Sequence, residues 1–515
     1  MNGAESLVRT LVAEDVNICF TNPGTSEMHF VAALDRVAGM RCILGLFEGV
    51  VTGAADGYFR IAGKPAATLL HLGPGLGNGL ANLHNAKKAG SGIVNIVGEH
   101  ATYHITHDAP LTSDIAAVAR PMSDWVKTSS SSMTLAADAA QAISVARSAP
   151  GKIATLIVPA DNAWGPAESI AKAPPTPAKK PVSKEAVAAA VQAITGGGQC
   201  MLLLGGSAVR GRALELAGRI AAKTGCQLST EFNNSRQERG AGRVNVQRLP
   251  YPVDLGLKVL SGVRQLILVG AKTPVAFFAY PGKPSVLIND SCRVTVLATV
   301  EDDIEGALEA LAAELGALNV SPAQIAAAER PTAPAGALSP EGIAAVIGAH
   351  MPENCIVVDE SITAGRGFAA ATAGAPPHDW LGIMGGSIGF GLPNGVGAAV
   401  AAPDRKVIVL EGDGSGMYTV QALWTMARNA LDVTVLVFAN RSYQILRGEL
   451  AGVGAGEPGR NATDMLTIDR PDLNWVALAK AQGVEAGRAT NLEELAREVA
   501  RGMASKGPYL IEIVM

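Results

Sequence analysis

Asp413 closes the apolar run VIVLEGDG, held between Gly412 and Gly414, and Asn440 closes the apolar run VTVLVFAN. The segment between Gly414 and Asn440 is 25 residues long, enough for a helix that returns the chain to the same sheet edge. A carboxylate, an amide and the Ser442 carbonyl just beyond them form an oxygen set of the kind Mg²⁺ takes. Phosphate oxygens and water would complete the octahedron. The two glycines let an anion approach the backbone, and a helix start offers it free N–H groups. Ser415 and Tyr443 flank this set and are candidates to line the anion. A GDG alone would read as an ordinary tight turn. Its place at a strand end, followed by helix, strand and FANRSY, makes it a candidate cation and phosphate site.

Other side chains stand where chemistry is possible. Glu48 ends the apolar run LGLF and opens a helical pattern, EGVVTGAADGYFRIA. As a helix N-terminal acid it would contribute less than about 1 kcal/mol, which does not account for the apolar stretch before it. Buried without a partner, such an acid is costly. His71 lies in LLHLGPGLGNGLANL, at a strand end facing a glycine loop, where an imidazole can relay protons near neutral pH or serve structure only. Thr25, in NPGTSEMHF, offers a hydroxyl either to a substrate or to the next helix as its N-cap. In GEHATYHITHD, His100, His104 and His107 have a spacing that suits zinc on a helix, but the flanking residues favour a polar loop at the site entrance or a subunit contact. Glu360 and Thr363, in VVDESITAGRGF, follow another strand end and could edge a pocket; Arg366, Gln444 and Arg447 are weaker candidates of the same kind.

These residues need a frame. CFTNP, CILGLF, AATLLHL, GIVNIVG and IATLIVP read as strands, as do CMLLLGG, QLSTEF, RQLILVG, SVLIND, NCIVVD, VIVLEGD, VTVLVFAN and YLIEIVM. LVRTLVAEDV, VTGAADGYFRIA, NGLANLHNAKKA, PNGVGAAVAA and TVQALWTMARNA read as helices between them. Strands apolar throughout, alternating with helices, imply α/β domains with doubly wound parallel sheets covered on both faces. Ligands sit at the carboxyl ends of such strands, which is where Asp413 falls. Two Pro- and Ala-rich stretches, residues 165–183 and 329–340, read as linkers. They divide the 515 residues into three expected domains, 1–165, 183–328 and 340–515. At 48% apolar and 17% charged residues the chain has ample core. A net charge of −4 without a basic stripe argues against nucleic acid. Six scattered cysteines without a CxxC read as buried thiols of a reducing compartment. With no signal sequence and no long apolar span, a cytoplasmic protein without membrane contact is expected.

GDG, about 25 residues and then Asn resembles the cofactor motif of the thiamine diphosphate enzymes. The resemblance spans the chain and is greatest to the acetolactate synthase and benzoylformate decarboxylase branch. It implies an N-terminal pyrimidine-binding domain, a middle domain and a C-terminal diphosphate- and Mg²⁺-binding domain. Asp413, Asn440 and Ser442 would bind the metal. Gly412, Gly414, Ser415 and Tyr443 would hold the diphosphate, and the Gly386 carbonyl would accept a hydrogen bond from the pyrimidine amino group. Ile388, in GIMGGSIGFGLPNG, would be the wedge that bends the cofactor, unless it is a plain core isoleucine. Glu48 would activate the aminopyrimidine, and His71 and Thr25 would face a 2-oxo acid substrate. The site would form between subunits of a homodimer or homotetramer. One departure stands out: where benzoylformate decarboxylase brings a second histidine from its middle domain, the matching stretch LILVGAKTPVAFFAYPG has Phe277 and Phe278. The implied activity is decarboxylation of a 2-oxo acid with carboligation to a 2-hydroxy ketone or acid. Release of an aldehyde by simple decarboxylation is the alternative. A cofactor-binding protein without turnover and a flavin-linked oxidase are more distant readings. FAD is not expected, since the middle domain is short and GGSAVRGRA is not a dinucleotide fingerprint.

Overall fold

In a computed structural model that describes residues 1–515, eighteen strands form three sheets. The first holds β1 (Ile18–Asn22), β2 (Arg41–Leu44), β3 (Ala66–Leu70), β4 (Ile93–Glu99), β5 (Trp125–Thr128) and β6 (Ile153–Pro159), in the order β2-β1-β3-β4-β6-β5. The chain continues through β7 (Cys200–Leu204), β8 (Gln227–Thr230), β9 (Gln237–Arg239), β10 (Gln247–Arg248), β11 (Gln265–Val269) and β12 (Arg293–Ala298). Five of these make the second sheet, β10-β8-β7-β11-β12. The third contains β13 (Ile356–Glu360), β14 (His378–Gly382), β15 (Val407–Gly412), β16 (Val433–Ala439), β17 (Glu485–Ala489) and β18 (Tyr509–Val514), ordered β17-β18-β16-β15-β13-β14-β9. Every pairing is parallel except β14 with β9. The architecture is therefore three doubly wound α/β sheets, and β9 crosses from the middle segment to extend the third.

Central strands are buried along their whole length, as in β3, β4, β6, β7 and β16. They are the ones that continuous apolar runs identify. Sheet-edge strands β5 and β17 carry exposed and charged residues, and β14, HDWLG, is polar at its start. None of the three has an apolar run, so they escaped the sequence reading. The expected strand SVLIND is a correction. Only an isolated bridge, Val275 to Val286, forms there, and Leu287 instead plugs a small core under the helix Val253–Leu260. The strand is β12, RVTVLA, eight residues further on.

One continuous core joins the first and third sheets, from Ile18 through Val50 and Val396 to Leu510. The middle sheet has its own. Across the shared core the helices Glu48–Ala62 and Gly391–Ala401 touch backbone to backbone. A Cβ on Gly397 would lie 1.9 Å from the Ala54 carbonyl oxygen, and one on Gly57 would lie 2.3 Å from that of Asn394. Only glycine permits this approach. Residues 165–183 contain no helix and lie along the helix Gly3–Ala13, the Ser6 hydroxyl donating to the Ser169 carbonyl at 2.5 Å. No helix is long and apolar enough to cross a membrane.

Candidate active site

The strand orders place one crevice in each of the outer sheets. In the first, β1 lies between β2 and β3, so the chain reverses its winding at the pair Asn22 and Leu70. In the third, the reversal falls between β13 and β15, where Glu360 pairs with Glu411. Ligands of open parallel sheets bind at such points, beyond the strand ends. The residues that follow these four strand ends are Gly24–Glu27, His71, Ser361–Thr363 and Asp413.

Asp413 is 4% exposed, in a one-turn helix, Asp413–Gly416. Its Oδ1 accepts from the Gly414 N–H at 2.9 Å and its Oδ2 from the Arg441 N–H at 2.6 Å, so strand ends β15 and β16 are tied together at the carboxylate. Arg441 takes a left-handed φ of 54°, which turns the chain across Asp413. Asn440 is thereby its neighbour, and its Oδ1 accepts from the Ser442 N–H at 3.0 Å. The Ser442 carbonyl accepts no hydrogen bond. No Lys, Arg or His side chain pairs with Asp413, and burial pushes its carboxyl up to about 6. A buried carboxylate held only by backbone N–H groups, beside an amide oxygen and a free carbonyl, matches what a divalent cation requires.

The Tyr443 ring packs on Gly414, where a Cβ would meet Cε1 at 2.6 Å. The Ser415 hydroxyl donates to Glu411 Oε1 at 2.6 Å. Glu360, read from sequence as a pocket edge, is 1% exposed and lies beneath the site. Its two oxygens accept from the Gly389 N–H at 2.9 Å and the Gly391 N–H at 2.5 Å, and desolvation raises its carboxyl to about 7. It braces the loop that carries Gly386 and Ile388. Gly386 has φ 73° and a carbonyl without a donor; Ile388 is half-buried and belongs to none of the cores, so it is not a plain core isoleucine. Thr363 precedes a 3₁₀ turn, Ala364–Gly367; Arg366 is exposed, as is Gln444, while Arg447 donates to Thr467 Oγ1 at 2.6 Å.

Glu48 opens its helix half-buried, with Oε2 accepting from Asn78 Nδ2 at 3.0 Å. His71 caps the helix Leu72–Ala89, and its Nδ1 lies 2.8 Å from Glu27 Oε2 and 3.3 Å from Ser26 Oγ. Glu27, a residue the sequence reading passed over, is 3% exposed and also accepts from the Gly24 N–H at 2.7 Å and Ser26 Oγ at 2.6 Å. Gly98 makes room for it: a Cβ there would fall 1.8 Å from Glu27 Oε1. The only sequence signal was an acid three residues after Gly24, a capping-box spacing. Thr25 is exposed, and the cap of its turn is Gly24, not the Thr25 hydroxyl. The His100, His104 and His107 rings lie in succession, tilted to one another, with centroids 5.5 and 5.8 Å apart on a loop containing the short turn Ile105–His107. No group of three His, Cys, Asp or Glu residues here has a metal-holding arrangement. Within the chain, no hydrogen bond links Glu48 or His71 to Asp413 or Asn440.

Two family profiles match the sequence: the N-terminal TPP binding domain of the thiamine pyrophosphate enzymes over residues 1–118, and their C-terminal TPP binding domain over residues 366–513. The sequence is 52% identical to "Putative acetolactate synthase large subunit IlvX" of Mycobacterium tuberculosis, over 100% of this chain and 99% of that one. This chain is a thiamine pyrophosphate enzyme. Benzoylformate decarboxylase of Pseudomonas aeruginosa is 30% identical, over 96% of this chain and 95% of its own. Among solved structures, the thiamine diphosphate-dependent 4-hydroxybenzoylformate decarboxylase of Rhodococcus jostii superposes with a TM-score of 0.84 over 100% of this chain and 99% of that one, at 24% identity. The thiamine pyrophosphate enzyme described here therefore belongs with the 2-oxo acid decarboxylases and acetolactate synthases, enzymes of lyase and transferase type. The first matched region contains the crevice at Asn22 and Leu70, and the second contains the Asp413 side of the other. The donors found there suit the cofactor: backbone N–H groups and oxygen ligands for the diphosphate end, an acid for the pyrimidine end.

Proposed function

We propose that the protein is a thiamine diphosphate- and Mg²⁺-dependent enzyme that decarboxylates a 2-oxo acid and joins the remaining fragment to a second carbonyl compound. When bound, the cofactor supplies a nucleophilic carbon and a cationic ring that takes up the electron pair as CO₂ leaves. Asp413, Asn440 and the Ser442 carbonyl hold the cation on the diphosphate. Gly412, Gly414 and Ser415 admit the phosphate oxygens to the backbone, and Tyr443 covers them. The Gly386 carbonyl and Glu48 would hold the pyrimidine, Glu48 as the acid that hydrogen-bonds its ring nitrogen. Ile388 would pack its apolar side chain against the bound cofactor. His71, oriented by Glu27, moves a proton at Nε2, and Thr25 offers its hydroxyl to the substrate carboxylate. No hydrogen bond within the chain links Glu48 to Asp413, which suits a working site that takes Glu48, His71 and Thr25 from one subunit and Asp413 from the next, in a dimer or tetramer. The proposed units are residues 1–165, 183–328 and 340–515, in a cytoplasmic protein.

One observation favours carboligation: the middle segment presents Phe277 and Phe278 beside Gly386 and contributes no imidazole to add to His71. Simple decarboxylation to an aldehyde, the reaction named for the Pseudomonas and Rhodococcus relatives, is the second reading. The experiment measures CO₂ release and carbon products from a panel of 2-oxo acids, with Glu48→Gln as control. Wild type should release CO₂ at least 100-fold faster than the variant and yield 2-hydroxy ketones or acids. Equal rates for the two proteins on every acid would overturn the enzymatic reading, and aldehyde as sole product would select the second.

A further inference from the structure

Two cysteines stand at matching positions in the middle sheet. Cys200 opens β7, and Cys226 immediately precedes β8. The two strands pair in parallel with Met201 opposite Gln227, so the cysteines face each other one step earlier. Neighbouring strands run about 4.8 Å apart, within the Cα separation that a disulfide spans. The sulfurs already meet: the Cys226 thiol donates to Cys200 Sγ at 2.9 Å, although 26 residues separate the two along the chain. A disulfide of about 2.05 Å needs them to close by about 0.9 Å, which small side-chain rotations supply.

This pair differs from the other four thiols. Accepting the S–H of Cys226 holds the Cys200 thiol below its ordinary value, and the same bond, with burial, holds Cys226 above. Burial raises Cys19, Cys42, Cys292 and Cys355. The thiolate is the reactive form, so Cys200 is the nucleophile and Cys226 stands beside it as the resolving thiol. Cys19 and Cys42 are also register partners, on β1 and β2, but the Cys19 thiol turns to the Phe20 carbonyl at 3.8 Å and no hydrogen bond joins the two sulfurs. Cys200 and Cys226 are buried, yet each follows exposed chain: residues 196–199 before Cys200, and Gly225 before Cys226. Gly197, Gly198 and Gly225 have φ of 88°, 92° and 75°, so these turns require glycine and lay little side-chain bulk over the strand ends. A reagent as small as hydrogen peroxide needs only that opening.

We propose that Cys200 and Cys226 are a peroxide-reactive dithiol that closes a reversible disulfide between β7 and β8. The Cys200 thiolate attacks one peroxide oxygen and the O–O bond breaks. The departing hydroxide takes up the proton of the Cys200 thiol and leaves as water, with Cys200 now a sulfenic acid. The Cys226 sulfur then attacks the Cys200 sulfur; the S–S bond forms, the S–O bond breaks, and the hydroxyl leaves with the Cys226 proton as a second water. Peroxide gains the two electrons that the two thiols lose, and an external dithiol reverses the change. The link joins the strand ends opposite Asn233, whose Nδ2 bonds the Ile383 carbonyl at 2.6 Å, so it staples the middle sheet without touching the Gly386 loop.

The test treats the full-length protein with a small excess of hydrogen peroxide, then counts thiols in denaturant and maps cross-linked peptides by mass spectrometry. The count should fall from six to four, with one bond, Cys200 to Cys226, and dithiothreitol should restore all six. The oxidised protein should melt at a higher temperature than the reduced one, since the bond constrains the unfolded chain. In Cys226→Ser, dimedone should trap a sulfenic acid on Cys200, and in Cys200→Ser thiol loss should be at least about tenfold slower than in wild type. Six thiols surviving peroxide, or a bond between Cys19 and Cys42 in place of this one, would overturn the proposal on wild type alone. So would an oxidised form that melts no higher than the reduced form. A Cys200→Ser variant that loses thiols as fast as wild type would overturn the assignment of Cys200 as the nucleophile.

Discussion

Replacing Arg60 with Met should destabilise the fold by about 3–5 kcal/mol, the usual cost of leaving one partner of a buried ion pair alone. Arg60 and Asp56 side chains are 1% and 0% exposed and meet through two bonds, Nε to Oδ1 at 2.8 Å and Nη2 to Oδ2 at 2.7 Å. In the variant, Asp56 keeps Ser91 Oγ at 2.5 Å and a long contact to Asn394 Nδ2 at 3.4 Å, neither able to neutralise it. The same guanidinium donates to the Gly382 carbonyl at 2.7 Å and the Ser235 carbonyl at 3.3 Å, and lies 4.8 Å from the Phe390 ring centroid. Arg60 thus ties the helix that starts at Glu48 to the middle segment and to the strand leading into the Gly386 loop. At about 2 °C per kcal/mol for a large chain, the melting temperature should fall by roughly 6–10 °C. Thermal melts monitored by circular dichroism measure this, with the Asp56→Asn/Arg60→Met double variant completing a cycle. Removing the stranded charge should recover at least about 1.5 kcal/mol relative to the sum of the single losses. A melting temperature within about 2 °C of wild type, or strictly additive losses, would refute the reasoning.

Burial raises the Asp413 carboxyl from the ordinary 3.8 to about 6. Between those values the folded, metal-free protein binds the extra proton, so this group's contribution to stability falls as pH rises from about 4 to 6. A cation must displace that proton, so Mg²⁺-dependent cofactor affinity should weaken about tenfold per pH unit below 6; an affinity flat from pH 5 to 7 by calorimetry would contradict this. Gly98→Ala should displace Glu27, whose Oε1 lies 1.8 Å from the new Cβ, and so release His71. The expected result is a fall in kcat of at least about tenfold with cofactor affinity kept; an unaltered kcat would show that the Glu27–His71 pair does not position a working proton carrier.

Legibility from sequence followed burial. Strands buried on both faces write themselves as apolar runs, so β15 and β16, and with them the meeting of Asp413 and Asn440, could be read directly. The exposed face of β5, the one arginine and one acid of β17 and the polar start of β14 erase that signal. The three-residue β9 was unreadable for another reason: its partner β14 is about 140 residues away, and no local pattern encodes a crossing between segments. Glu360 and Glu27 show the limit for site residues. One is the last residue of a strand and the other lies in the turn after one, and only the structure reveals that Glu360 braces backbone N–H groups of the Gly389 loop while Glu27 faces His71. Composition likewise gave no sign that the first and third segments share one core, because the glycine contacts at Gly57 and Gly397 depend on how two helices cross.

The account turns on Asp413 and Asn440 gripping a divalent cation on a diphosphate. Calorimetric titration of thiamine diphosphate into wild type and Asp413→Ala, with and without Mg²⁺, tests this most directly. The account predicts Mg²⁺-dependent binding to wild type and at least a hundredfold weaker binding to a variant that melts normally. Equal affinity in the two proteins, or binding indifferent to Mg²⁺, would contradict it.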